Sequence, residues 1–413
     1  MQFPKQLPLG IDCQRCHGPE AYRRFGRGFY SYRPGQPLAD YILHFDHAPG
    51  KGHDDKFEIV SAAYRLRQSL CFVKGEGKLT CTTCHNPHKA VSHATSATHY
   101  RAKCLRCHSS KDAEQHRLAA TDFSRSDCVS CHMPKRRTED VVHVVMTDHQ
   151  IQRRAPSRDL LAPLREKADA EQSYQGEVVF YYPKTSFERA LQEVYFAIAQ
   201  VKEKANLFRG VQMLQQALSK AVVKYPEPYF ELAEAQVALG RKDAAHESYL
   251  KALSFDPMFV QAEHHLGNLL ADLGKPNDAL RHYRRAIDLD PGFADVHTNL
   301  GLTLLGIGDS SAAAESFRNA IAANAMHAPA YRDLGALLLV QGRRDEAEFH
   351  LRKALSLEPA DPKAHNNLGL TLLALGKREE GIVHLNYALR HGAKADQEST
   401  RKVLKDMGIA VTE

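Results

Sequence analysis

The sequence predicts a mainly α-helical protein in two dissimilar parts, a loop-rich front segment followed by an α-solenoid of helix pairs. Two observations lead to this division. All nine cysteines lie between Cys13 and Cys131, whereas glycine and alanine recur every 34 residues from about residue 226 onward. The overall composition, with 43% hydrophobic and 25% charged residues, is that of an ordinary folded protein.

Four cysteine pairs define the front segment. Each pair has the form Cys-x-x-Cys and is followed directly by a histidine. Zinc sites and redox disulfides also use such pairs, but neither requires the histidine. Covalent haem c requires all three residues, because the thiols form thioethers to the vinyl groups and the imidazole binds the iron. Four chance histidines would have a probability on the order of 10⁻⁵.

The pattern therefore predicts four covalently attached haem c groups. The predicted attachment thiols are Cys13, Cys16, Cys81, Cys84, Cys104, Cys107, Cys128 and Cys131. The predicted proximal iron ligands are His17, His85, His108 and His132.

The histidine content of the front segment exceeds what four proximal ligands need, since residues 1–150 hold 13 histidines. His88 follows a proximal histidine by three residues, too close to reach the same iron, so we expect it to bind a neighbouring haem. His143, His149 and His47 are the next candidates for distal ligands. Bis-histidine coordination at every iron is therefore available to this sequence.

The charge of the front segment agrees with bound haem. Residues 1–150 carry 22 Lys and Arg against 15 Asp and Glu, a net charge of 22 − 15 = +7. Four haems would add about eight negative propionate charges, with Lys135, Arg136 and Arg137 placed to pair with some of them. The alternative for these three residues is a solvated basic surface.

We expect that this basic segment does not bind nucleic acid. We expect Cys71, the one cysteine outside the four motifs, to be a buried inert thiol.

The back half repeats with a period of 34, which is typical of tetratricopeptide repeats. We expect the repeated glycine in the first helix of each unit to let the second helix approach closely, together with a repeated alanine on that second helix. The glycines are Gly267, Gly301, Gly335 and Gly369, the alanines are Ala279, Ala313 and Ala347, and the aromatic position between the small residues holds Tyr249, Tyr283 and Phe317.

These patterns predict the following organisation. A tetrahaem cytochrome domain occupies 1–150 and a connector with one strand-like run occupies 151–186. A degenerate helical repeat or cap spans 187–225, the repeat array spans 226–392, and a capping helix spans 393–413.

A stack of helix pairs offers a concave surface to a partner. The positions that we expect to face this groove form a mixed polar set: Gln261, His264, Asn268, Thr298, Arg332, Lys363 and Asn366. The groove is predicted to dock a redox partner or a neighbouring subunit, and the alternative is a spacer or a wall for the chain's own cytochrome domain. The ten histidines of the back half are interpreted as surface residues.

The compartment follows from the chemistry, since bacteria attach haem to Cys-x-x-Cys-His outside the cytoplasm. We therefore expect a periplasmic or extracellular protein. The first ten residues lack the charged and apolar regions of a signal peptide, so we expect the start of the natural chain to lie upstream. No run of eighteen apolar residues is present, which excludes an integral membrane segment.

Four stretches of the sequence resemble a family of bacterial multihaem c-type cytochromes fused to tetratricopeptide repeats, distantly similar to the cytochrome c-554 group. They are Ala63–Phe72 (AYRLRQSLCF), Leu79–His88 (LTCTTCHNPH), Cys128–Arg137 (CVSCHMPKRR) and Thr147–His149 (TDH). The resemblance implies an exported electron carrier in which His88 is a bridging distal ligand.

The expected function is thus transfer of single electrons along closely packed haems. One alternative is a multihaem oxidoreductase that reduces a small nitrogen or sulfur oxyanion. Such enzymes keep one iron open, and some replace the proximal histidine by lysine, which none of the four motifs does. The other alternative is a filament or assembly subunit in which the repeats form the contacts of a homo-oligomer.

Overall fold

The computed structural model divides the chain into two compact units, residues 1–223 and 224–413. The residues that the structure describes are 21–25, 41–47, 65–66, 68–75, 79, 81–85, 91–92, 95–108, 127–138, 145–152, 157–164, 178–180, 189–202, 206–406 and 408.

The first unit contains a three-stranded antiparallel sheet. Its strands, in their order across the sheet, are β1 (Ala21–Arg23), β2 (Ile42–His47) and β5 (Val178–Phe180). In the register, Ala21 pairs with His44 and Phe45 pairs with Phe180. The strand-like run predicted in the connector thus contributes β5 to a sheet whose other strands come from the front segment.

A small apolar core lies between this sheet and helix α5 (Arg189–Lys202). Leu43 and Phe45 on β2 are 2% and 1% exposed, and they pack with Tyr195 of α5. The buried amide of Gln200 on α5 accepts a hydrogen bond from the backbone N–H of Val178 at 3.0 Å. This core therefore joins side chains from three parts of the sequence. Helix α6 (Leu207–Lys220) pairs with α5, and Gly210 lies against Val201 at the crossing.

Short helices contain or adjoin the described cysteine motifs. These helices and the accompanying hairpin strands are α1 (Leu70–Lys74), α2 (Cys81–Cys84), α3 (Ser96–Cys104), α4 (Cys128–His132), β3 (Lys135–Arg137) and β4 (Val145–Thr147). Strands β3 and β4 are antiparallel, with Arg136 opposite Met146. No residue of α1 or α3 is buried, so packing of their own side chains contributes little to holding these helices in place.

The second unit consists of helix pairs followed by one further helix. The pairs are α7 (Glu227–Ala238) with α8 (Lys242–Phe255), α9 (Val260–Asp272) with α10 (Pro276–Leu289), α11 (Ala294–Gly306) with α12 (Ser310–Ala323), α13 (Ala328–Val340) with α14 (Arg344–Leu357), and α15 (Pro362–Ala374) with α16 (Arg378–His391). Helix α17 (Lys394–Asp406) follows and buries Leu404 against Leu385 and Leu389. The predicted class, mainly α with a solenoid of helix pairs in the back half, is confirmed.

The small residues of the repeat produce the predicted close packing. A Cβ on Gly267 would lie 2.6 Å from a ring carbon of Tyr283, and one on Gly301 would lie 2.6 Å from Phe317. The repeated alanine Ala279 on the second helix is fully buried. The glycine side of each first helix is therefore filled by a large side chain from its partner helix, as the sequence pattern indicates.

The turn within each helix pair uses a second set of glycines. Gly240, Gly274, Gly308, Gly342 and Gly376 have φ between 70° and 89°. Only glycine adopts this left-handed conformation without strain, and it ends the first helix of the pair. Among the described residues, no helix is both long and apolar enough to cross a lipid bilayer.

Candidate haem attachment site

Three of the four cysteine motifs lie among the described residues. Cys81–Cys84 forms α2 and Cys128–His132 forms α4, whereas the motif at 104–108 begins at the last residue of α3 and continues into a turn. The two cysteines of one motif are three positions apart, and in α2 and α4 helical positions at this spacing share one face of the helix. Asp127 caps α4, because its carboxylate accepts hydrogen bonds from the backbone N–H groups of Val129 at 3.1 Å and Ser130 at 3.4 Å. The backbone of these two helices thus has the spacing of cysteine positions that a vinyl-linked cofactor needs.

The thiols of these three motifs lie close to one another. Burial, and then the neighbouring thiols of Cys128 and Cys84, raise the pKa of Cys104 to about 11. Cys71 belongs to the same cluster, and its pKa is raised by burial and then by Cys107. Cys71 is half-buried, which is less burial than the sequence predicted. The motifs at 81–85, 104–108 and 128–132 therefore meet in one small region.

Two histidines of the site have a defined tautomer. Nδ1 of His132 lies 2.6 Å from the carbonyl oxygen of Gln152, and Nδ1 of His149 lies 3.0 Å from the carbonyl oxygen of Thr147. A carbonyl can only accept a hydrogen bond, so in the neutral ring Nδ1 carries the proton and Nε2 carries the lone pair. A hydrogen bond of this kind to Nδ1 is the usual way in which proteins orient a metal-binding imidazole.

His85 lies next to His149 and Tyr100. Its ring is exposed at the end of α2, with Nδ1 3.3 Å from the Tyr100 hydroxyl. The ring centroids of His85 and His149 are 6.1 Å apart, with 39° between the ring planes. A third histidine nearby, His99, directs Nε2 to the carbonyl oxygen of Cys84 at 3.3 Å. Two of the predicted iron ligands, one proximal and one distal, are thus brought together.

A buried charge network lies beside these ligands. Arg65 and Asp148 are each 1% exposed, and the guanidinium donates two hydrogen bonds to the carboxylate, at 2.9 and 2.7 Å. Gln150 accepts a further bond from Arg65 and donates its backbone N–H to Asp148 at 2.9 Å. Arg136 is also buried, 4.0 Å from the Asp148 carboxylate. This network holds the backbone on both sides of His149.

Sequence reasoning did not identify the Arg65–Asp148 pair. The two residues are 83 positions apart, and no local pattern connects them. Another residue predicted to bind propionates, Arg137, donates two hydrogen bonds to the carbonyl oxygen of Leu161, at 3.2 and 3.1 Å. Pairing of Lys135, Arg136 and Arg137 with haem propionates stays a prediction.

Several predicted site residues lie outside the described residues: Cys13, Cys16, His17, His88 and His143. For Cys81, Cys131 and His47 the structure describes the backbone only. Cys107 and His108, the end of the third motif, are exposed. The described residues fit covalent haem through the chemistry of their donors, paired thiols at helical spacing and imidazoles held through Nδ1.

The predicted groove of the second unit lies on the first helices of the repeats. His264 on α9 is 6% exposed, and Nε2 accepts hydrogen bonds from the amides of Asn268 at 3.3 Å and Asn299 at 2.8 Å. Its Nδ1 is buried without a hydrogen-bond partner, and burial lowers the pKa of His264 to about 4. The interpretation of the back-half histidines as surface residues is therefore wrong for His264 and for His297, which is 8% exposed. His264 contacts Asn299 of the next helix pair, and His297 lies 3.1 Å from the carbonyl oxygen of Pro291.

Other predicted groove residues connect successive repeats. Arg332 donates to Asp361 at 3.1 Å, 29 positions further along the chain. Asn366 accepts from the hydroxyl of Thr400 on α17 at 2.9 Å. Gln261 and Lys363 are exposed on the first turns of their helices. The polar set thus serves partly to link the repeats and partly as an accessible surface.

Comparison with known proteins identifies both parts of the chain. The family described as a doubled CXXCH motif matches residues 73–113, which contain the motifs at 81–85 and 104–108. Tetratricopeptide repeat families match the back half at residues 226–257, 267–308, 298–355 and 332–397. No curated protein matches the chain.

Solved structures of several other proteins resemble part of the chain. MamA protein is 26% identical, and the match covers 46% of this chain and 98% of MamA, with a TM-score of 0.36. YrrB, described as a TPR protein with an unusual peptide-binding site, is 20% identical over 46% of this chain and 97% of YrrB, with a TM-score of 0.36. A thermophilic TPR protein from Thermus thermophilus is 24% identical over 44% of this chain and 99% of that protein, with a TM-score of 0.38.

The doubled CXXCH motif is the haem-attachment motif of multihaem c-type cytochromes, and tetratricopeptide repeats are protein-interaction modules. The sequence prediction is confirmed at this level. The chain therefore combines a multihaem cytochrome c segment with an array of tetratricopeptide repeats.

Proposed function

We propose that this protein is an exported electron carrier whose haems, attached at four Cys-x-x-Cys-His motifs, pass single electrons to one another. The observation that carries the proposal is the hydrogen bond between the thiols of Cys104 and Cys128, with the thiol of Cys84 close enough to raise the pKa of Cys104. Thiols this close hold their cofactors side by side, and short distances between cofactors favour rapid electron transfer. Haem iron, when bound, supplies the one-electron couple.

The residues around the motifs suit a carrier better than a catalyst. A carrier needs two strong axial ligands at each iron, so that the coordination does not change with redox state. The hydrogen bonds from Nδ1 of His132 and His149 to backbone carbonyls orient Nε2 and increase its basicity. The buried pair of Arg65 and Asp148 fixes the backbone next to His149. These contacts support rigid ligation.

The tetratricopeptide array is proposed to dock the redox partner or a neighbouring subunit. Its exposed groove residues Gln261 and Lys363 offer polar contacts at separated points of the surface. A docked partner would bring its own cofactor near the haem segment more often than free diffusion would. The periplasm or the cell exterior is the proposed location, because haem is attached to these motifs there.

The visible spectrum of the reduced, haem-matured protein before and after carbon monoxide tests the carrier proposal. We expect no change, since every iron would hold two strong ligands, and a haem content of four by intact mass. A change equivalent to one haem would indicate an open iron and would favour the oxidoreductase alternative. A protein without covalent haem would refute the proposal altogether.

Docking is tested separately with the double variant Gln261→Arg/Lys363→Glu, which changes two exposed side chains. We expect slower reduction by a periplasmic fraction of the source bacterium and an unchanged rate with dithionite, which needs no docking. Equal rates for variant and wild type with both reductants would refute a role of this groove surface.

A further inference from the structure

The distance between the ring centroids of His85 and His149 is close to the distance between two imidazoles that bind one metal ion. A metal–imidazole nitrogen bond is about 2 Å long, and the ring centroid lies about 1.1 Å beyond the nitrogen, so two imidazoles on opposite faces of one iron have centroids about 6.2 Å apart. The observed separation is 6.1 Å. We propose that His149 is the distal ligand of the iron whose proximal ligand is His85. This inference rests on the proposed haem attachment at Cys81 and Cys84.

The tautomer of His149 is the one that such a ligand needs. Its Nδ1 donates to the Thr147 carbonyl at 3.0 Å, which places the lone pair on Nε2. The neighbouring histidine His99 is a poorer candidate, because its Nε2 faces the Cys84 carbonyl at 3.3 Å. Of these two histidines, only His149 combines a ring contact to His85 with an anchored Nδ1.

The backbone around His149 is fixed from both sides. Asp148 accepts two hydrogen bonds from Arg65, and its Oδ1 also accepts the backbone N–H of Gln150. The backbone N–H of Asp148 donates to the carbonyl of Pro134 at 2.9 Å. A ligand held in this way loses little conformational freedom when it binds the iron.

The same short segment also reaches the fourth motif. Gln152 accepts the hydrogen bond from Nδ1 of His132 at 2.6 Å and donates its backbone N–H to the His132 carbonyl at 2.8 Å. Residues 147–152 therefore ligate one iron through His149 and orient the proximal ligand of another through Gln152. This segment links the haem of the second motif to the haem of the fourth.

A double-variant experiment tests the pairing in the haem-matured full chain. The variants are His85→Ala, His149→Ala and the combination of both, with His99→Ala as the matched control. The readouts are haem content by intact mass and the amount of high-spin ferric haem by electron paramagnetic resonance. His85→Ala should remove one haem, because covalent attachment requires the proximal histidine. His149→Ala should convert one haem to high spin, and the combined variant should lack that haem and contain no high-spin haem. The control should convert none.

Other outcomes are decisive. A high-spin haem in the combined variant would place His149 on a different iron and overturn the pairing, and an unchanged low-spin spectrum in His149→Ala would remove His149 from the ligands. If His149→Ala does not mature, His149→Met should give a protein with one reduction potential raised, because methionine ligation raises the potential. An unchanged set of potentials would overturn the proposal. Absence of covalent haem from the wild type would instead refute the proposed function.

Discussion

Replacing Asp148 by asparagine should destabilise the first unit strongly. The substitution removes the charge that faces Arg65, whose side chain is 1% exposed, and Arg136 lies only 4.0 Å away. Breaking a buried pair by neutralising one partner typically costs about 3–5 kcal/mol, because the other charge is left buried. A urea m value of about 1–3 kcal/mol/M converts a loss of about 3 kcal/mol into a midpoint shift of about 1–3 M.

The assay is urea unfolding of the haem-matured protein, followed by haem absorbance as a probe of the first unit. The matched control is Glu193→Gln, since Glu193 lies in the same unit and its ion pairs with Arg189 and Lys220 are exposed. Exposed pairs contribute about 0–1 kcal/mol, so the control should shift the midpoint slightly. Equal shifts for the two variants would refute the claim that the buried charge of Asp148 stabilises the first unit.

Three further outcomes are expected. Gly301→Ala places a methyl group 2.6 Å from Phe317 and should lose about 1–3 kcal/mol in thermal unfolding, whereas Gly306→Ala has nothing within 4 Å and should not lose stability. Burial lowers the pKa of His264 to about 4, so below pH 6.5 the unfolded chain binds a proton that the folded protein does not, and stability falls as the pH falls toward 4. His264→Gln should therefore flatten the pH dependence of the urea midpoint between pH 6.5 and 4. An unchanged slope would show that His264 does not have this lowered pKa. Cys71, whose pKa is raised by burial, should react with iodoacetamide at about pH 7 more slowly than a cysteine peptide, as followed by mass spectrometry, and an equal rate would contradict this.

Much of the repeat array could be predicted because its packing is local. Gly267 and Tyr283 lie within one 34-residue unit, so the spacing alone indicates that they meet. The prediction that failed in this array was the surface location of His264. Its burial results from Asn299 in the next repeat, which supplies the hydrogen bond that lets a polar ring lie inside.

The attachment residues could also be predicted, since Cys-x-x-Cys-His needs only five consecutive residues to carry its chemistry. The pairing of ligands could not. His85 and His149 are brought together by the β3–β4 hairpin and by the Arg65–Asp148 pair, and neither the hairpin register nor the pair leaves a periodic signal in the sequence. Long-range polar contacts of this kind depend on the whole fold.

The first unit therefore has two structural centres of different kinds. The sheet and α5 share a side-chain core around Phe45 and Tyr195, which can form by burial of apolar surface alone. Helices α1 and α3, by contrast, bury none of their residues and have only 5 and 9 residues, too few to be stable alone in water. These helices need another apolar surface against which to pack, and the haems attached beside them would provide it. Haem attachment is thus expected to fold this region as well as to equip it for electron transfer.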